Sequence, residues 1–422
     1  MGNNEKKIQE AYQNAREQFG SSGVDTEKAI DCLSRIPISL HCWQGDDVTG
    51  FERSSELTGG ILATGNYPGK ARNADELRAD IEKAFSLIPG KHRVNLHAIY
   101  AEAPRRVERN ELSQEHFSRW IDWAKSHGYG LDFNPTCFSH PKSASGFTLT
   151  HSDSSIRNFW IEHCIVCRRI GAFMGQSLGT PCVVNIWIPD GYKDTPADRK
   201  SPRDRLRDSL DRILSEKLDR RYILDSVEGK LFGIGTESYV AGSFEFYFGY
   251  AVTRKILLCL DTGHFHPTET IADKISSVLQ WLDGVLLHIS RGIRWDSDHV
   301  VVFSDELLAI AQEIVRGEYL PRVKIGLDYF DASINRIAAW VIGMRAVQKA
   351  LLVALLEPVN LLKEMEYKGD FSGRLALQEH SKNLPYNAVW DYYCLIKGVP
   401  PGLSWLEEVR AYERNVLSKR SL

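Results

Sequence analysis

The sequence has little of what would place the protein in a membrane or on nucleic acid. Its 52 lysines and arginines are nearly balanced by 55 aspartates and glutamates, whereas a nucleic-acid-binding surface normally shows as an excess of positive charge. The polar N-terminal stretch lacks the apolar core of a secretion signal. The longest apolar run, residues 337–356, is interrupted by Arg345, Gln348 and Lys349. We therefore expect this run to be a buried helix and not a membrane span.

Cysteine is present without the pattern of a disulfide framework. The eight cysteines are scattered, and several lie inside apolar, strand-like runs where a thiol packs as a small hydrophobic group. His163, Cys164 and Cys167 lie close together, but in a helical segment with no second ligand pair, so we do not expect a structural zinc site. The cysteine usage predicts a reducing compartment, and we expect the protein to be cytoplasmic.

Short apolar runs alternate with longer amphipathic segments, which is the pattern of repeated βα units. Two helices are predicted first, over residues 4–19 and 25–35. The eight apolar runs then cover residues 37–43, 93–100, 130–135, 182–189, 222–230, 256–264, 285–290 and 323–330. Eight strands close a (β/α)8 barrel, so the predicted fold is an α/β TIM barrel.

The predicted chain has three parts. N-terminal helices cover residues 1–36, a barrel domain expected to carry the active site covers 37–356, and a helical extension covers 357–422 and packs on the barrel or on another subunit. Helix-capping residues support helical crossovers between the strands; they are Asn73, Ser113, Asp153, Ser201, Thr268 and Ser304. The segment before Asn73 has six glycines and little periodicity, and a loop this long in a compact barrel is usually functional.

Polar or aromatic side chains recur at the C-terminal ends of the predicted strands. The interior of such a barrel is packed with apolar side chains, and its active site lies at the mouth formed by the C-terminal strand ends. The residues at these ends are His41, Trp43, His97, Asp132, Asn134, Trp187, Glu228, Lys230, Asp261, His264, His288 and Asp328. We therefore predict a polar site at the mouth of the barrel.

The acidic and imidazole side chains in and near this set predict two cation sites. One residue from each of the last four strands would form a buried site: Glu228, Asp261, His288 and Asp328. A more open site would use His264, Asp296 and Asp298, with Asp261 as a candidate bridge. A single carboxylate at a strand end is more often a helix cap or a salt-bridge partner, but four together would repel one another without a cation. Oxygen-rich ligand sets suit manganese, magnesium or cobalt better than they suit zinc of the thiolate-bound kind.

Other residues of the predicted mouth suit a ligand beside the cations. Glu228 and Lys230 are two residues apart on the fifth predicted strand, so their side chains face the same way and can act on one ligand. Trp43 and Trp187 fit two interpretations equally well, a position in the core and a wall on which a sugar stacks.

Several long motifs resemble the L-rhamnose isomerase family. They are ISLHCWQGDDV, GNYPGKARNA, LDFNPTCFSHP, NIWIPDGYKD, VEGKLFGIG, LDTGHFHPTE, RWDSDHVV and IGLDYFDASINRIAAWVIG, and the resemblance covers almost the whole chain. It implies a β/α-barrel enzyme, usually a homotetramer, that converts L-rhamnose to L-rhamnulose. It also implies two divalent cations per subunit, Mn²⁺ first, with Co²⁺, Zn²⁺ or Mg²⁺ as alternatives.

The resemblance also implies roles for individual residues. The structural-metal ligands would be Glu228, Asp261, His288 and Asp328, and the catalytic-metal ligands would be His264, Asp296 and Asp298. Lys230 would lie at the reactive end of the sugar and His97 near its ring oxygen. Leu57 and Ile61, on a mobile loop, would close over the methyl end of the sugar. The motif departs from the family at Gly229, where serine is expected; we expect this position to face away from the ligand and to matter little.

Two chemical routes and three other functions stay open at this point. In a hydride shift, metals hold O1 and O2 while Lys230 donates to O1, and a metal-bound water near Asp296 and Asp298 moves the hydroxyl proton. An enediol route needs a carboxylate base, and the well-placed carboxylates are assigned to metal, which favours the hydride shift. The other functions are a related sugar isomerase or epimerase, a metal-dependent phosphodiesterase, which would add histidines and a basic groove, and a carbohydrate-binding protein, which would not need Lys230.

Overall fold

The computed structural model describes residues 3–52, 63, 65–231, 238–266, 268–293 and 298–420. Eight strands form one closed barrel: β1 (Pro37–His41), β2 (Lys91–His97), β3 (Gly130–Asn134), β4 (Cys182–Ile186), β6 (Ile223–Glu228), β8 (Leu257–Asp261), β9 (Val285–Ile289) and β10 (Val323–Leu327). They pair in parallel in chain order, and β10 returns to pair with β1. Two short strands, β5 (Gly191–Tyr192) and β7 (Tyr239–Val240), form a separate antiparallel pair. Each predicted apolar run overlaps one barrel strand, so the predicted TIM barrel is confirmed.

Fourteen α-helices occur among the described residues. They are α1 (Asn3–Ser21), α2 (Thr26–Arg35), α3 (Ala74–Phe85), α4 (Ser118–His127), α5 (Ser154–Leu178), α6 (Lys200–Ile213), α7 (Phe244–Arg254), α8 (Ile271–Val278), α9 (Asp305–Arg316), α10 (Arg336–Leu355), α11 (Val359–Tyr367), α12 (Phe371–Lys382), α13 (Tyr386–Ile396) and α14 (Ser404–Asn415). The first two precede the barrel and the last four follow it. The division into three parts at residues 36 and 356 stays a prediction.

The helix starts agree with the predicted caps where a side-chain oxygen binds the first turn. Asn73, Asp153 and Ser304 each accept a hydrogen bond from a backbone N–H of the helix that follows. The prediction was wrong at Ser201, because α6 begins one residue earlier and the Asp198 carboxylate accepts from its first two amides at 2.9 Å. It was also wrong by two residues at residue 268, since α8 begins only at Ile271. Ser113 begins a short 3-10 helix instead of an α-helix.

The longest apolar run forms α10, the last helix of the barrel. It is the one described helix long and apolar enough to cross a membrane by length and composition, but 83% of its apolar window is buried inside the protein. Its polar residues bond to backbone carbonyls of neighbouring loops: Arg345 donates to Leu87 and Pro400, and Gln348 donates to Pro89. These bonds give the Arg345 guanidinium and the Gln348 amide nitrogen acceptors inside the protein, as burial requires.

The C-terminal helices pack on the barrel, which is one of the two arrangements predicted for them. Asp80 of α3 accepts hydrogen bonds from Tyr412 of α14 at 2.9 Å and from Arg420 at 2.6 Å. Tyr12 of α1 stacks on Tyr392 of α13 with ring centroids 3.8 Å apart. The end of the chain is thereby tied both to a barrel helix and to the N-terminal helices.

The barrel interior is more polar than the sequence led us to expect. Asp132 does not join the mouth of the barrel. It receives a bidentate hydrogen bond from Arg93 at 2.8 and 2.9 Å, and Ser39 Oγ and the Val183 amide also donate to it. This group lines a cavity at the N-terminal end of the strands. The predicted position of Asp132 at the mouth was wrong, because the sequence does not show how deep in the barrel a strand residue lies.

Candidate active site

Four ionisable side chains from four neighbouring strands meet at the mouth of the barrel. Glu228, Asp261, His288 and Asp328 each offer one ligand atom, and these atoms all lie within 4.8 Å of one another. Parallel register brings them together, since Asp261 at the end of β8 pairs directly with His288 of β9. This is the set that the sequence predicts for a buried cation site.

Around His288, the geometry fits a cation better than an ordinary hydrogen-bond network. Its Nδ1 lies 3.2 Å from Glu228 Oε2, 3.2 Å from Asp328 Oδ2 and 3.8 Å from Asp261 Oδ2. Nevertheless both ring nitrogens of His288, and Oδ2 of Asp261, are buried without a hydrogen-bond partner in the described part of the chain. Buried polar atoms without a partner cost free energy, and a divalent cation would supply a partner to His288 Nδ1, which faces the three carboxylates, and to Asp261 Oδ2.

The electrostatics of the cluster point the same way. Burial raises the pKa of Asp261 to about 7, and the Glu228 and Asp328 carboxylates add to this rise while His264 opposes it. Burial also works against ionisation of Glu228, but the charges of His288 and His264 lower its pKa well below the ordinary value. Carboxylates this close resist sharing a site unless positive charge is present.

The second predicted cation site is only partly visible. His264 Nδ1 lies 3.0 Å from Glu228 Oε1, and its Nε2 lies 3.9 Å from Asp261 Oδ2. Asp298 lines a pocket at the mouth of the barrel and has the left-handed backbone conformation (φ 42°). Its backbone carbonyl accepts a hydrogen bond from the Phe330 amide. Asp296 lies outside the described residues, so the open site stays a prediction.

A pocket at the mouth of the barrel adjoins the cluster and contains the predicted substrate residues that the structure describes. Trp43, Trp187, His97 and Lys230 all line it. Lys230 is buried, with its Nζ 4.8 Å from the centre of the Trp187 ring, an arrangement in which the aromatic face attracts the ammonium. Leu57 and Ile61 were predicted to close over the sugar; both lie outside the described residues.

His97 is held as a neutral imidazole in this wall. Its Nδ1 lies 3.2 Å from Thr136 Oγ1, and its ring packs edge-on against Trp43 at 4.7 Å between centroids. Burial, together with the nearby His288, lowers the pKa of His97 to about 3. A neutral imidazole offers one donor and one acceptor to a ligand.

The pocket also contains functional candidates that the sequence did not single out. Asn185 of β4 donates from Nδ2 to Glu228 Oε2 at 2.5 Å, so it orients a candidate metal ligand. Phe138 and Phe330 complete the aromatic wall. Asn185 could have been found in the sequence because it is a lone amide inside the apolar run CVVNIW. The two phenylalanines could not, because nothing in the sequence distinguishes them from core residues.

Gly229 is more constrained than the sequence suggests. A Cβ built on Gly229 would lie 2.9 Å from the Cα of Phe244 and 3.0 Å from its backbone nitrogen. This direction leads toward the start of α7, as expected of a position between Glu228 and Lys230. A serine there would require the α7 backbone to move, so Gly229 matters for packing against α7, while the expectation that the position matters little to the ligand stays a prediction.

The chain is similar to known proteins over almost its whole length. The family model for L-rhamnose isomerase (RhaA) matches residues 6–420. L-rhamnose isomerase of Citrobacter koseri is 59% identical over 415 residues, covering 98% of this chain and 99% of the relative. That of Escherichia coli strain SMS-3-5 is 59% identical over 414 residues, with the same coverage.

Solved structures with similar folds are distant in sequence. An L-ribulose 3-epimerase is 13% identical with a TM-score of 0.48, covering 75% of this chain and 95% of the epimerase. D-psicose 3-epimerase of Clostridium cellulolyticum H10 is 12% identical with a TM-score of 0.46, covering 75% and 96%. With a family match over nearly its full length and relatives that are more than half identical, the chain belongs to the L-rhamnose isomerase family of aldose–ketose isomerases.

Proposed function

We propose that this protein interconverts L-rhamnose and L-rhamnulose in rhamnose catabolism by a metal-assisted 1,2-hydride shift. The observation that carries the proposal is the convergence of Glu228, Asp261, His288 and Asp328 beside the pocket that holds Lys230. Family membership supports the choice of sugar. The proposed cofactor is Mn²⁺, two cations per subunit, with Co²⁺, Zn²⁺ or Mg²⁺ as alternatives.

The donor set supports oxygen-preferring divalent cations. The buried site would be held by Glu228, Asp261, His288 and Asp328, and the open site by His264, Asp296 and Asp298, with Asp261 as a candidate bridge. When bound, the cations would act as Lewis acids that polarise the sugar carbonyl.

The side chains of the pocket would position the sugar for transfer of hydrogen between C2 and C1. Lys230 would donate a hydrogen bond to O1, where negative charge develops, and Trp187 would hold its ammonium in place. His97, neutral at physiological pH, would bind the ring oxygen. Leu57 and Ile61 would cover the methyl end.

The carboxylates around the pocket support the hydride route over the enediol route. Among the described residues that line it, the carboxylates are Glu228, Asp298 and Asp328, and each is assigned to a cation, which leaves none to remove the C2 proton. The test uses L-rhamnose deuterated at C2 in ordinary water. Retention of deuterium at C1 of the ketose supports the hydride shift, and complete loss to solvent contradicts it.

The function itself is tested by following L-rhamnulose formation by metal-stripped protein with and without added Mn²⁺. We expect turnover only with metal. Glu228→Gln should abolish it, whereas Asp211→Asn, which alters a half-exposed carboxylate paired with Arg254, should keep it. Absence of aldose turnover under any divalent metal would contradict the proposal.

We also propose a cytoplasmic homotetramer. Tyr367, Phe371 and Leu375 of α11 and α12 are 93%, 58% and 57% exposed in the single chain, and large exposed apolar side chains on two neighbouring helices favour a contact with another chain. Sedimentation equilibrium should give four times the chain mass of 47.8 kDa, and a monomer would contradict this state.

A further inference from the structure

A buried arginine outside the candidate pocket, Arg109, binds the loop after β3 (residues 135–139), which forms one wall of the pocket. Arg109 is 1% exposed. Its Nε and Nη2 donate to the two carboxylate oxygens of Glu52 at 2.8 and 2.9 Å. Its Nη1 donates to the carbonyls of Thr136 and Phe138 at 2.5 and 2.6 Å, and its Nη2 also donates to the carbonyl of Ser139 at 3.0 Å. Since a guanidinium has five N–H donors, each donor has an acceptor.

His163 joins the backbone of Arg109 to the backbone of Thr136 in the loop after β3. The Nδ1 of His163, a fully buried residue of α5, lies 2.9 Å from the Arg109 carbonyl, and its Nε2 accepts from the Thr136 amide at 3.0 Å. Burial lowers the pKa of His163 to about 3, so the ring is neutral and has one donor and one acceptor for these two bonds. Arg109 and Thr136 are therefore joined both directly and through His163.

The loop held in this way touches the groups assigned to the substrate. Thr136 Oγ1 lies 3.2 Å from His97 Nδ1. The Phe138 ring lies edge-on to His97 at 5.6 Å and to Trp187 at 5.8 Å between centroids. Arg109 itself does not line the pocket. A displacement of the loop after β3 would thus move the wall of the pocket and leave the metal cluster in place.

We propose that Arg109 is a positioning residue, which fixes the His97–Phe138 wall of the sugar pocket and ties it to Glu52 in the segment after β1. This inference rests on the proposed sugar isomerisation. Only a planar guanidinium can bind a carboxylate bidentately and three carbonyls at once. A lysine keeps the charge but has three donors, so it loses at least two of these bonds.

The test compares Arg109→Lys with a matched control, Arg168→Lys. Arg168 is also buried, binds Asp225 bidentately at 2.7 and 3.0 Å and donates to the carbonyls of Ile213 and Glu216, but these partners lie at the N-terminal end of the barrel. The two variants should lose similar thermal stability. Only Arg109→Lys should raise KM for L-rhamnose, by about tenfold, which is less than the roughly hundredfold loss that a misplacement of about 1 Å can cause.

Two further readouts separate positioning from general damage. Mn²⁺ affinity should be unchanged in Arg109→Lys, and hydrogen exchange of a peptide spanning residues 134–139 should be faster than in Arg168→Lys. Equal KM values in the two variants, or equal exchange of this peptide, would overturn the inference. Exchange does not depend on turnover, so failure of the proposed function, seen as an inactive wild type, is distinguished from failure of this inference.

If Arg109→Lys does not fold, Glu52→Gln takes its place. This variant keeps the three carbonyl bonds and removes the charge that orients the guanidinium. We expect a folded protein with about a threefold rise in KM, smaller than the effect of losing a charge-assisted bond directly, because Glu52 acts on the pocket only through Arg109. An unchanged KM and unchanged exchange of residues 134–139 in folded Glu52→Gln would overturn the inference.

Discussion

The indole Nε1 of Trp43 donates a hydrogen bond to Oδ1 of Asp328 at 3.1 Å. Trp43 follows β1 and Asp328 follows β10, and these two strands close the barrel. One side chain therefore serves two purposes: its ring forms part of the pocket wall, and its N–H orients a candidate metal ligand. Loss of a group that orients a metal ligand typically costs about tenfold to a hundredfold in metal affinity or activity.

Replacing Trp43 with phenylalanine should weaken cation binding. The ring is retained but the hydrogen bond to Asp328 is lost, so we expect Mn²⁺ affinity to fall by about tenfold to a hundredfold. Electron paramagnetic resonance of free Mn²⁺ measures this directly. Trp187→Phe is the control, because Trp187 lines the pocket but its Nε1 has no hydrogen-bond partner among the described residues. Equal Mn²⁺ affinity in the two variants would contradict the role of Trp43.

Metal removal should lower the stability of the protein. A ligand that binds only the folded state stabilises it by about 2.7 kcal/mol at a hundred times its Kd. Addition of saturating Mn²⁺ to chelator-treated protein should therefore raise Tm. Glu228→Gln should lose most of this increase, since it removes a central ligand of the cluster. An identical increase in Tm in the variant would place the stabilising cation elsewhere.

The parts of the fold that follow from local rules were predictable. Apolar runs gave the strands, and side-chain oxygens such as Asn73 gave the helix starts. The cluster was predictable because Asp261 and His288 stand at equivalent ends of adjacent parallel strands, and parallel register makes such residues neighbours. The depth of Asp132 in the barrel was not predictable, because depth depends on the stagger between strands, which the sequence does not show. Arg109 was missed because its acceptors are backbone carbonyls and Glu52, which lies far away in the sequence.

Lys230 should affect turnover much more than sugar binding. Lys230→Met keeps a long apolar side chain against Trp187 but removes the donor to O1, so kcat should fall by about a hundredfold or more. Binding of L-rhamnose, measured by calorimetry on the Mn²⁺-loaded protein, should change only a few-fold. A carbohydrate-binding protein without activity predicts no turnover even in the wild type.

The matched control is Lys274→Met. Lys274 also places its ammonium over an aromatic ring, 4.6 Å from the centre of Phe265, but it does not line the pocket. Lys274→Met should leave kcat within about twofold, as expected for a substitution outside the pocket. If both lysine variants lose the same activity, the loss reflects the cation–π contact and not donation to the sugar.

Asp46 should make stability depend on pH. Its buried carboxylate accepts from Tyr100 Oη and the Gly50 amide, both at 2.7 Å, and burial raises its pKa from 3.8 to about 7. Between these values the folded state binds more protons at Asp46 than the unfolded state does. The contribution of this group to the free energy of unfolding is therefore greatest below about pH 4 and decreases as the pH rises through 7.

Asp46→Asn removes this titration, so the variant should gain stability relative to the wild type as the pH increases from 5 to 8. Urea unfolding at each pH gives the difference in free energy. Asp211→Asn should show the opposite trend at lower pH, because the hydrogen bond from Arg254 lowers the pKa of Asp211 and its stabilisation is lost as the pH falls. A difference between wild type and Asp46→Asn that stays constant from pH 5 to 8 would mean that Asp46 is already ionised throughout this range, held so by Tyr100 and Gly50.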